Sequence, residues 1–193
     1  WYRVSIDPQT DPEDWAVRAQ RSEGVEWAQA NYLRRHAEVA SDSLRDQQWG
    51  LRAIGWRPDV EAEPVVVAVI DSGVDYTHPD LAGQIWRNLS ELQGVSGVDD
   101  DGNGYVDDVV GWDFTDAPGL PGMGDYIQRD ADPTDESGHG THVAGIIAAA
   151  VNNEIGISGV ASNARVMVLR AGFNLPGGGY LEDDDIAAAI LYA

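Results

Sequence analysis

The sequence predicts an α/β fold, an incomplete doubly wound parallel sheet preceded by part of a small α+β unit. Two apolar runs, residues 65–70 and 164–171, predict strands that are buried on both faces of a sheet. Each run is followed along the chain by a helical pattern, over residues 138–151 and from the acids at 182–185 onward. This alternation is typical of a parallel sheet with helices on both faces, which we expect to be incomplete within these residues.

The amino-terminal residues alternate between extended and helical patterns. Hydrophobic alternation predicts strands over residues 1–6 and 25–35. Between them, a predicted helix starts at Asp11 or Pro12 and stops at Gly24. These three elements make half of a small α+β unit, which is too small to be stable alone. We therefore expect it either to pack on the larger, carboxy-terminal part of the chain or to lack its own first half.

Residues 36–64 are irregular and polar, and they contain two tryptophans. Trp49 and Trp56 are predicted to anchor this linker on a larger body. We accordingly assign residues 1–40 to a first unit and residues 41–193 to a second.

Composition and charge exclude several classes of function. The formal net charge of −21 would repel phosphate backbones and anionic lipids, so we expect neither nucleic acid nor a membrane as a partner. No apolar run reaches the roughly 20 residues that span a bilayer. The absence of cysteine excludes a disulfide framework, a thiolate zinc site and a cysteine nucleophile. Divalent cations suit the excess of acids, which is equally typical of a secreted protein that needs solubility.

Two residues carry the predicted chemistry. Asp71 directly follows the strand at 65–70, and in open α/β sheets functional residues lie just beyond the carboxyl ends of strands. His139 opens the predicted helix at 138–151. An aspartate that ends a buried strand is costly unless it is paired, and an imidazole N–H is a fitting partner. Such a pair fixes the tautomer that leaves the other imidazole nitrogen as a base.

A second histidine makes a metal site an alternative interpretation. His142 follows His139 by three residues, so the two lie on one face of a helix. The sequence HGTH lacks the spacing and the glutamate base of the HExxH zinc motif, which favours His142 as a buried residue that supports the helix. A metal-dependent hydrolase that uses Asp71, His139 and His142 stays an alternative. His36 and His78 are interpreted as surface or structural residues.

Two motifs carry a family resemblance. AVIDSGVDYTHPDL, at 68–81, resembles the aspartate motif of the subtilisin-like serine proteases, and SGHGTHVAG, at 137–145, resembles their histidine motif. The resemblance implies that Asp71 orients and stabilises His139, and that His139 is the general base that deprotonates a serine. It therefore implies a serine endopeptidase that hydrolyses peptide bonds in proteins through an Asp-His-Ser triad.

The third member of that triad is missing from this sequence. The family places its serine in a GTSMA-type motif, after an asparagine of the oxyanion hole, and neither motif occurs here. We therefore expect the chain to be inactive as it stands. A non-catalytic, calcium-binding pseudoenzyme remains an alternative.

The resemblance extends to the flanks of the two motifs. GVEWAQANYLRR, at 24–35, and SDSLRDQQWGL, at 41–51, resemble the end of the family's inhibitory propeptide and the start of its mature enzyme. The resemblance implies that residues 1–40 are the carboxy-terminal part of such a propeptide. Residues 41–193 would then be the amino-terminal half of the catalytic domain.

The same resemblance implies the partners of the protein. They are a protein or peptide substrate and the protein's own propeptide, acting as an intramolecular inhibitor of a secreted monomer. Gly177, Gly178 and Gly179 would lie along the edge strand that pairs with the substrate backbone, where glycine permits close approach.

An acidic segment predicts a calcium loop within the mostly irregular residues 75–135. In DDDGNGYVDD the oxygen-bearing residues recur at alternate positions, as in an EF-hand loop, with Gly104 at the sharp turn. Val110 stands where the bidentate glutamate is expected, so either the site is completed from elsewhere or the loop is a solvated acidic turn. The predicted ligands are Asp99, Asp101, Asn103, the Tyr105 carbonyl and Asp107.

A second calcium site is implied by the resemblance. In the family this ion is held by an early aspartate, by the aspartate of HPDL and by the loop after the histidine helix. A tight loop of sequence NNxxG supplies convergent oxygens with little charge. The matching residues are Asp42, Asp80, the Asn153 side chain and the carbonyls of Val151, Ile155 and Ile157.

Overall fold

The computed structural model divides into two compact units, Trp1–His36 and Ala37–Ala193. This boundary lies close to the one predicted after residue 40. The structure describes residues 4–7, 9–30, 41–58, 63–117 and 124–193.

The described part of the first unit contains one helix, α1 (Pro12–Ala19). Asp11 caps it, because its Oδ1 accepts hydrogen bonds from the backbone N–H groups of Glu13 and Asp14 at 2.9 and 3.0 Å. Pro12 lies in the first turn, where the N–H that it lacks would have no partner within the helix. The predicted helix is confirmed, although it ends before Gly24.

The strands predicted on either side of α1 are wrong where the structure describes them. Residues 4–7 and 25–30 form no strand, since no segment in the described part of this unit offers them a hydrogen-bonding ladder. Instead Gln20 Nε2 donates to the Ala28 carbonyl at 3.1 Å, and the segment after the helix folds back on it as a loop. The rest of both predicted strands, and His36, lie outside the described residues.

The second unit is an α/β domain. Its elements, in chain order, are α2 (Trp49–Ala53), β1 (Val66–Asp71), α3 (Leu89–Gln93), β2 (Gly111–Asp113), α4 (His139–Ala148), β3 (Arg165–Arg170), β4 (Gly172–Leu175), β5 (Gly178–Leu181) and α5 (Asp183–Tyr192). Two 3₁₀ turns, Arg45–Gln47 and Ala82–Gln84, accompany them. Among the described residues, no helix has both the length and the apolar character that crossing a membrane requires.

The central sheet is parallel, as predicted. β3 lies between β1 and β2 and runs parallel to both. Successive side chains of a strand point to opposite faces, and each face of this sheet packs against its own helix. On one face Val69 and Val168 pack with Ala144 of α4, and on the other Leu169 packs with Ala189 of α5. Helices on both faces make the sheet doubly wound.

Two short elements were not foreseen within the predicted loop at 75–135. β2 and α3 are 3 and 5 residues long, too short to show a hydrophobic period. β2 depends on Gly111, which has a φ of +130°. A Cβ at this position would lie 1.8 Å from the carbonyl oxygen of Val168, so any larger residue would push β2 away from β3.

β4 and β5 form an antiparallel hairpin beyond the carboxyl end of β3. Pro176 and Gly177 form its turn, and Gly177 and Gly178 have φ values of +129° and +147°, which other residues rarely adopt. Phe173 stacks on Tyr180 across the hairpin, with ring centroids 6.3 Å apart. β5 is exposed along its whole length and pairs only with β4 among the described residues.

Residues 41–58 contact the rest of the second unit, but through one tryptophan and not two. Trp56 Nε1 donates to the Val160 carbonyl at 2.9 Å. Trp49, the other predicted anchor, is 75% exposed, and Leu51, at 4%, is the buried residue of α2. The helix turns only one face inward, and Trp49 lies outside that face.

Arg170 and Asp113 form a fully buried ion pair at the end of the sheet. Arg170, the last residue of β3, places Nη1 3.2 Å from Oδ2 of Asp113 on β2. Its guanidinium also donates to the carbonyls of Thr134 and Asp125 at 3.2 and 2.8 Å. Burial raises the pKa of Asp113 to about 7, although the positive charge of Arg170 acts to lower it. Arg170 thus connects two strands with the loop that leads into α4.

Candidate active site

The two residues predicted to carry the chemistry meet at the carboxyl edge of the sheet. Asp71 is the last residue of β1, and His139 is the first residue of α4. His139 Nδ1 lies 2.7 Å from Oδ1 and 2.9 Å from Oδ2 of Asp71. The predicted pairing is therefore present, with Nδ1–H donating to the carboxylate. In that tautomer Nε2 carries the lone pair and can accept a proton.

The electrostatics of this pair suit a base. The hydrogen bond to Asp71, and then the negative charge of Asp71, raise the pKa of His139 above its ordinary value. The imidazole is 70% exposed, whereas the Asp71 carboxylate is only 17% exposed. Nε2 has no hydrogen-bond partner among the described residues, so it is accessible to a reacting group.

Asp135 joins the strand that ends at Asp71 to the helix that starts at His139. Its Oδ1 accepts from Ser72 Oγ at 2.9 Å, and its Oδ2 accepts from the backbone N–H of Thr141 at 2.9 Å. Burial acts to raise the pKa of Asp135, but the hydrogen bonds that it accepts outweigh burial, and the pKa is lowered. Sequence reasoning missed this residue, although an aspartate just before a helix is a recognisable capping signal.

Glycine allows the helix to approach the end of the strand. A Cβ on Gly140 would lie 2.0 Å from the carbonyl oxygen of Gly73 and 3.1 Å from the Asp71 Cβ. The Gly140 N–H donates to Ser72 Oγ at 3.1 Å. The close packing that brings His139 to Asp71 therefore requires glycine directly after the histidine.

The predictions for His142 are not supported. It lies on the exposed side of α4, whereas Gly140, Ala144 and Ala148 form the buried side. The predicted supporting role in a buried helix is therefore wrong. In the part of the chain that the structure describes, no cluster of three potential metal ligands includes His142. His78 is half-buried, and its Nδ1 accepts from the Asp80 backbone N–H at 3.2 Å, which fits a structural role.

The acidic loop at 99–108 is organised around its carboxylates. Asp99 accepts the backbone N–H groups of Gly102 and Gly104 at 2.7 and 2.8 Å, and Asp101 accepts that of Asn103 at 3.0 Å. The hydrogen bond from Gly104 is the main cause that lowers the pKa of Asp99. Asn103 Oδ1 accepts in turn from the Tyr105 N–H at 2.7 Å, so four of the five predicted ligands share one compact turn.

Glu91, an acid of α3, lies beside two acids of this loop. One carboxylate oxygen from each of Glu91, Asp99 and Asp101 lies within 4.8 Å of the other two. The predicted ligand Asp107 lies outside this group, since its Oδ2 accepts from the Gly97 N–H at 2.8 Å. Glu91 is only 5% exposed and has no fixed spacing from the loop, so the sequence pattern could not identify it.

The residues of the second predicted calcium site also converge. Asp42 and Asp80 are 4% and 3% exposed, although they lie far apart in the chain. Asn153 joins them, because its N–H donates to Asp42 Oδ1 at 3.0 Å and its Nδ2 donates to Asp80 Oδ1 at 2.7 Å. The Ile157 N–H donates to Asp80 Oδ2 at 3.2 Å. Two buried carboxylates therefore face one tight loop, which also contains Val151 and Ile155.

The three glycines predicted to bind substrate lie at the hairpin turn and on β5. Gly177 lies in the turn, and Gly178 and Gly179 lie on the exposed strand β5, opposite Leu175 and Asn174. A Cβ on Gly179 would lie 3.1 Å from Asn174 Oδ1, and one on Gly178 would meet nothing within 4 Å. The open side of β5 is thus uncovered among the described residues.

Known proteins resemble this chain in sequence. The model of the subtilase family matches residues 62–193. Subtilisin-like protease 1 of Plasmodium vivax is 44% identical over 137 residues, which cover 68% of this chain and 20% of that protein. The thermophilic serine proteinase of a Bacillus species is 36% identical over 174 residues, covering 88% of this chain and 34% of that protein.

A solved structure shows the same fold. A protease from Pseudoalteromonas arctica superimposes with a TM-score of 0.52 at 26% identity, over 79% of this chain and 43% of that one. This chain thus spans about a fifth to a third of the length of these curated relatives. The family match covers more than half of the chain and includes both Asp71 and His139. The chain belongs to the subtilase family.

Proposed function

We propose that this chain forms part of the catalytic domain of a secreted, calcium-stabilised serine endopeptidase, which hydrolyses peptide bonds in proteins. The observation that carries the proposal is the hydrogen bond of 2.7 Å between Asp71 and His139 at the carboxyl edge of the sheet. The subtilase match and the relatives named as proteases support it.

In this proposal the two residues have separate roles. Asp71 accepts from Nδ1–H, holds the imidazole in one tautomer and stabilises the positive charge that develops on it. His139 Nε2 takes the proton of the attacking hydroxyl and later gives it to the leaving amine. The hydroxyl would come from a serine outside these 193 residues. Ser72 is unsuitable, because it donates to Asp135 and accepts from the Gly140 N–H.

The reaction class can be tested on the full-length protein. We expect hydrolysis of a peptide substrate to stop in proportion to covalent labelling of a serine by a fluorophosphonate. Hydrolysis that resists this reagent, stops on chelation and accompanies one equivalent of zinc would instead indicate the metal-dependent alternative. Purified full-length protein that neither hydrolyses peptides nor takes up the label would indicate a pseudoenzyme.

The substrate and propeptide assignments form part of the same proposal. An extended substrate would pair with the open edge of β5, with Gly177, Gly178 and Gly179 allowing close approach of the two backbones. Residues 1–40 would be the carboxy-terminal part of a propeptide that inhibits the monomeric enzyme until it is removed. The separation of the chain into two compact units near this position supports the division.

Two calcium sites are proposed, both made only of oxygen ligands. The first uses Asp99, Asp101, Asn103, the Tyr105 carbonyl and Glu91, whose burial beside two other acids suits a cation. The second uses the buried carboxylates of Asp42 and Asp80, the Asn153 side chain and the carbonyls of its loop. Bound ions would neutralise acids that otherwise repel one another and would stabilise the loops around the sheet.

Calcium is expected to raise the thermal stability of the full-length protein. An ion that binds only the folded state adds about 2.7 kcal/mol at a concentration of a hundred times its Kd. Melting curves with millimolar calcium or with a chelator measure the effect.

Substitutions assign this effect to the two sites. Asp99→Asn and Asp80→Asn should each remove part of the calcium-dependent increase in Tm, whereas Asp46→Asn, in an exposed turn, should leave it intact. A Tm that does not respond to calcium would exclude both sites.

A further inference from the structure

Three acids from two distant segments meet where β5 passes into α5. Asp116 lies in the loop after β2, Glu182 directly precedes α5, and Asp185 lies in the first turn of that helix. One carboxylate oxygen from each lies within 4.8 Å of the other two. Oxygens that bind one calcium ion at about 2.4 Å can lie up to about 4.8 Å apart, so a single ion can contact all three.

A buried oxygen in this group lacks a partner. The Asp185 side chain is 0% exposed. Its Oδ1 accepts from Arg129 Nη2 at 2.8 Å, but its Oδ2 has no hydrogen bond among the described residues. A buried carboxylate oxygen without a partner is costly, because the water that would solvate it in the unfolded chain has been lost. The group therefore lacks a positive charge or a donor at Oδ2.

Arg129 supplies only part of the required charge. Its Nε lies 3.0 Å from Asp116 Oδ2 and also donates to the Phe114 carbonyl at 2.9 Å, and its contact with Asp185 is made to Oδ1 and not to Oδ2. One guanidinium against three carboxylates leaves two negative charges, which one divalent cation would balance. Burial, with the negative charge of Asp116, raises the pKa of Asp185 to about 6 despite the lowering effect of Arg129.

We propose that Asp116, Glu182 and Asp185 bind a calcium ion. Ligands that are all carboxylates favour a hard cation, and the remaining positions would be filled by water or carbonyl oxygens. The site lies at the start of α5, whereas Tyr192, at the other end of this helix, contacts Asp108 of the acidic loop. A helix of 10 residues is about 15 Å long, so this ion would be distinct from the one proposed in that loop.

The position gives the ion a structural consequence. Glu182 directly follows β5, and Asp116 directly precedes Ala117, which packs with Phe173 of β4. An ion shared by these acids would hold the end of the hairpin against the loop after β2. The site rests on these contacts alone and does not require the proposed proteolytic activity.

Counting bound calcium in the full-length protein tests the site. Asp185→Asn keeps the shape of the side chain and the oxygen that accepts from Arg129. In equilibrium dialysis with radioactive calcium, this variant should bind one ion fewer than the unsubstituted protein, or bind one of its ions at least tenfold more weakly. The matched control is Asp183→Asn, which removes the same charge from the same helical turn but lies outside the group. It should bind as many ions as the unsubstituted protein, with unchanged affinity.

Two further results decide the proposal. The Asp99→Asn and Asp80→Asn variants should still bind the ion that Asp185→Asn loses. That result would show that this site is distinct from the two calcium sites proposed above. Circular dichroism shows whether Asp185→Asn folds. If it does not fold, Glu182→Gln, at a half-buried position, should lose the same ion. Unchanged calcium number and affinity in every folded variant of the group would overturn the proposal and leave Asp185 as a partner of Arg129 only.

Discussion

Full-length protein that carries His139→Ala is expected to lose about a million-fold in kcat for peptide hydrolysis, the factor already known for the histidine of subtilisin. Asp71→Asn is expected to lose about ten-thousand-fold, because an asparagine does not hold the imidazole in the tautomer that leaves Nε2 free as a base. Both residues lie at the edge of the packed sheet, and His139 is largely exposed, so the fold should be retained.

Kinetics and circular dichroism on the same samples check this prediction. His142→Ala is the matched control, since it removes an imidazole from the exposed side of the same helix. It should leave kcat close to that of the unsubstituted protein, because no hydrogen bond among the described residues joins His142 to Asp71 or His139. The assignment of the base would be wrong if His142→Ala were as damaging as His139→Ala, or if His139→Ala retained normal turnover.

Arg170→Met is expected to lower the free energy of unfolding by about 3–5 kcal/mol. Its guanidinium is 1% exposed, and its removal leaves Asp113 buried without a charge partner. The loss should be larger at about pH 8 than at about pH 5, because burial raises the pKa of Asp113 to about 7. In the unsubstituted protein Asp113 is ionised and paired with Arg170 above this pKa and neutral below it. Without Arg170 the pKa rises further, so at about pH 8 the folded variant must bind a proton or hold an unpaired carboxylate, whereas at about pH 5 the carboxyl group is neutral in both proteins.

Urea unfolding at the two pH values provides the measurement. Arg165→Met, at the exposed start of the same strand, is the control and should cost about 0.5 kcal/mol or less. Equal losses for the two substitutions would contradict a dominant role for the buried pair. A loss for Arg170→Met that did not change with pH would contradict the part assigned to Asp113.

The sheet could be predicted because its strands and helices leave clear patterns in the sequence. The apolar runs at β1 and β3 are long enough to indicate buried strands, and Asp71 interrupts the first where function is expected. β2 left no such pattern. It forms because Gly111 lets a short segment pack against Val168, which is a property of the assembled sheet.

The candidate site was predictable only in part, for a similar reason. Asp71 and His139 stand in recognisable motifs, and their contact follows from the fold. Glu91 and Arg170 are brought to their partners by tertiary structure, and no local spacing indicates either residue. The strands predicted beside α1 failed because alternation alone does not supply a partner strand.

An NMR titration of the His139 imidazole, in the full-length protein and in its Asp71→Asn variant, tests the pairing of these two residues. His139→Ala identifies the signal among those of the histidines. We expect a pKa above the ordinary value of about 6.5, because the carboxylate of Asp71 stabilises the protonated ring. The pKa should fall when Asp71 becomes asparagine. An unshifted pKa that is the same in both proteins would contradict the pairing on which the proposed catalysis depends.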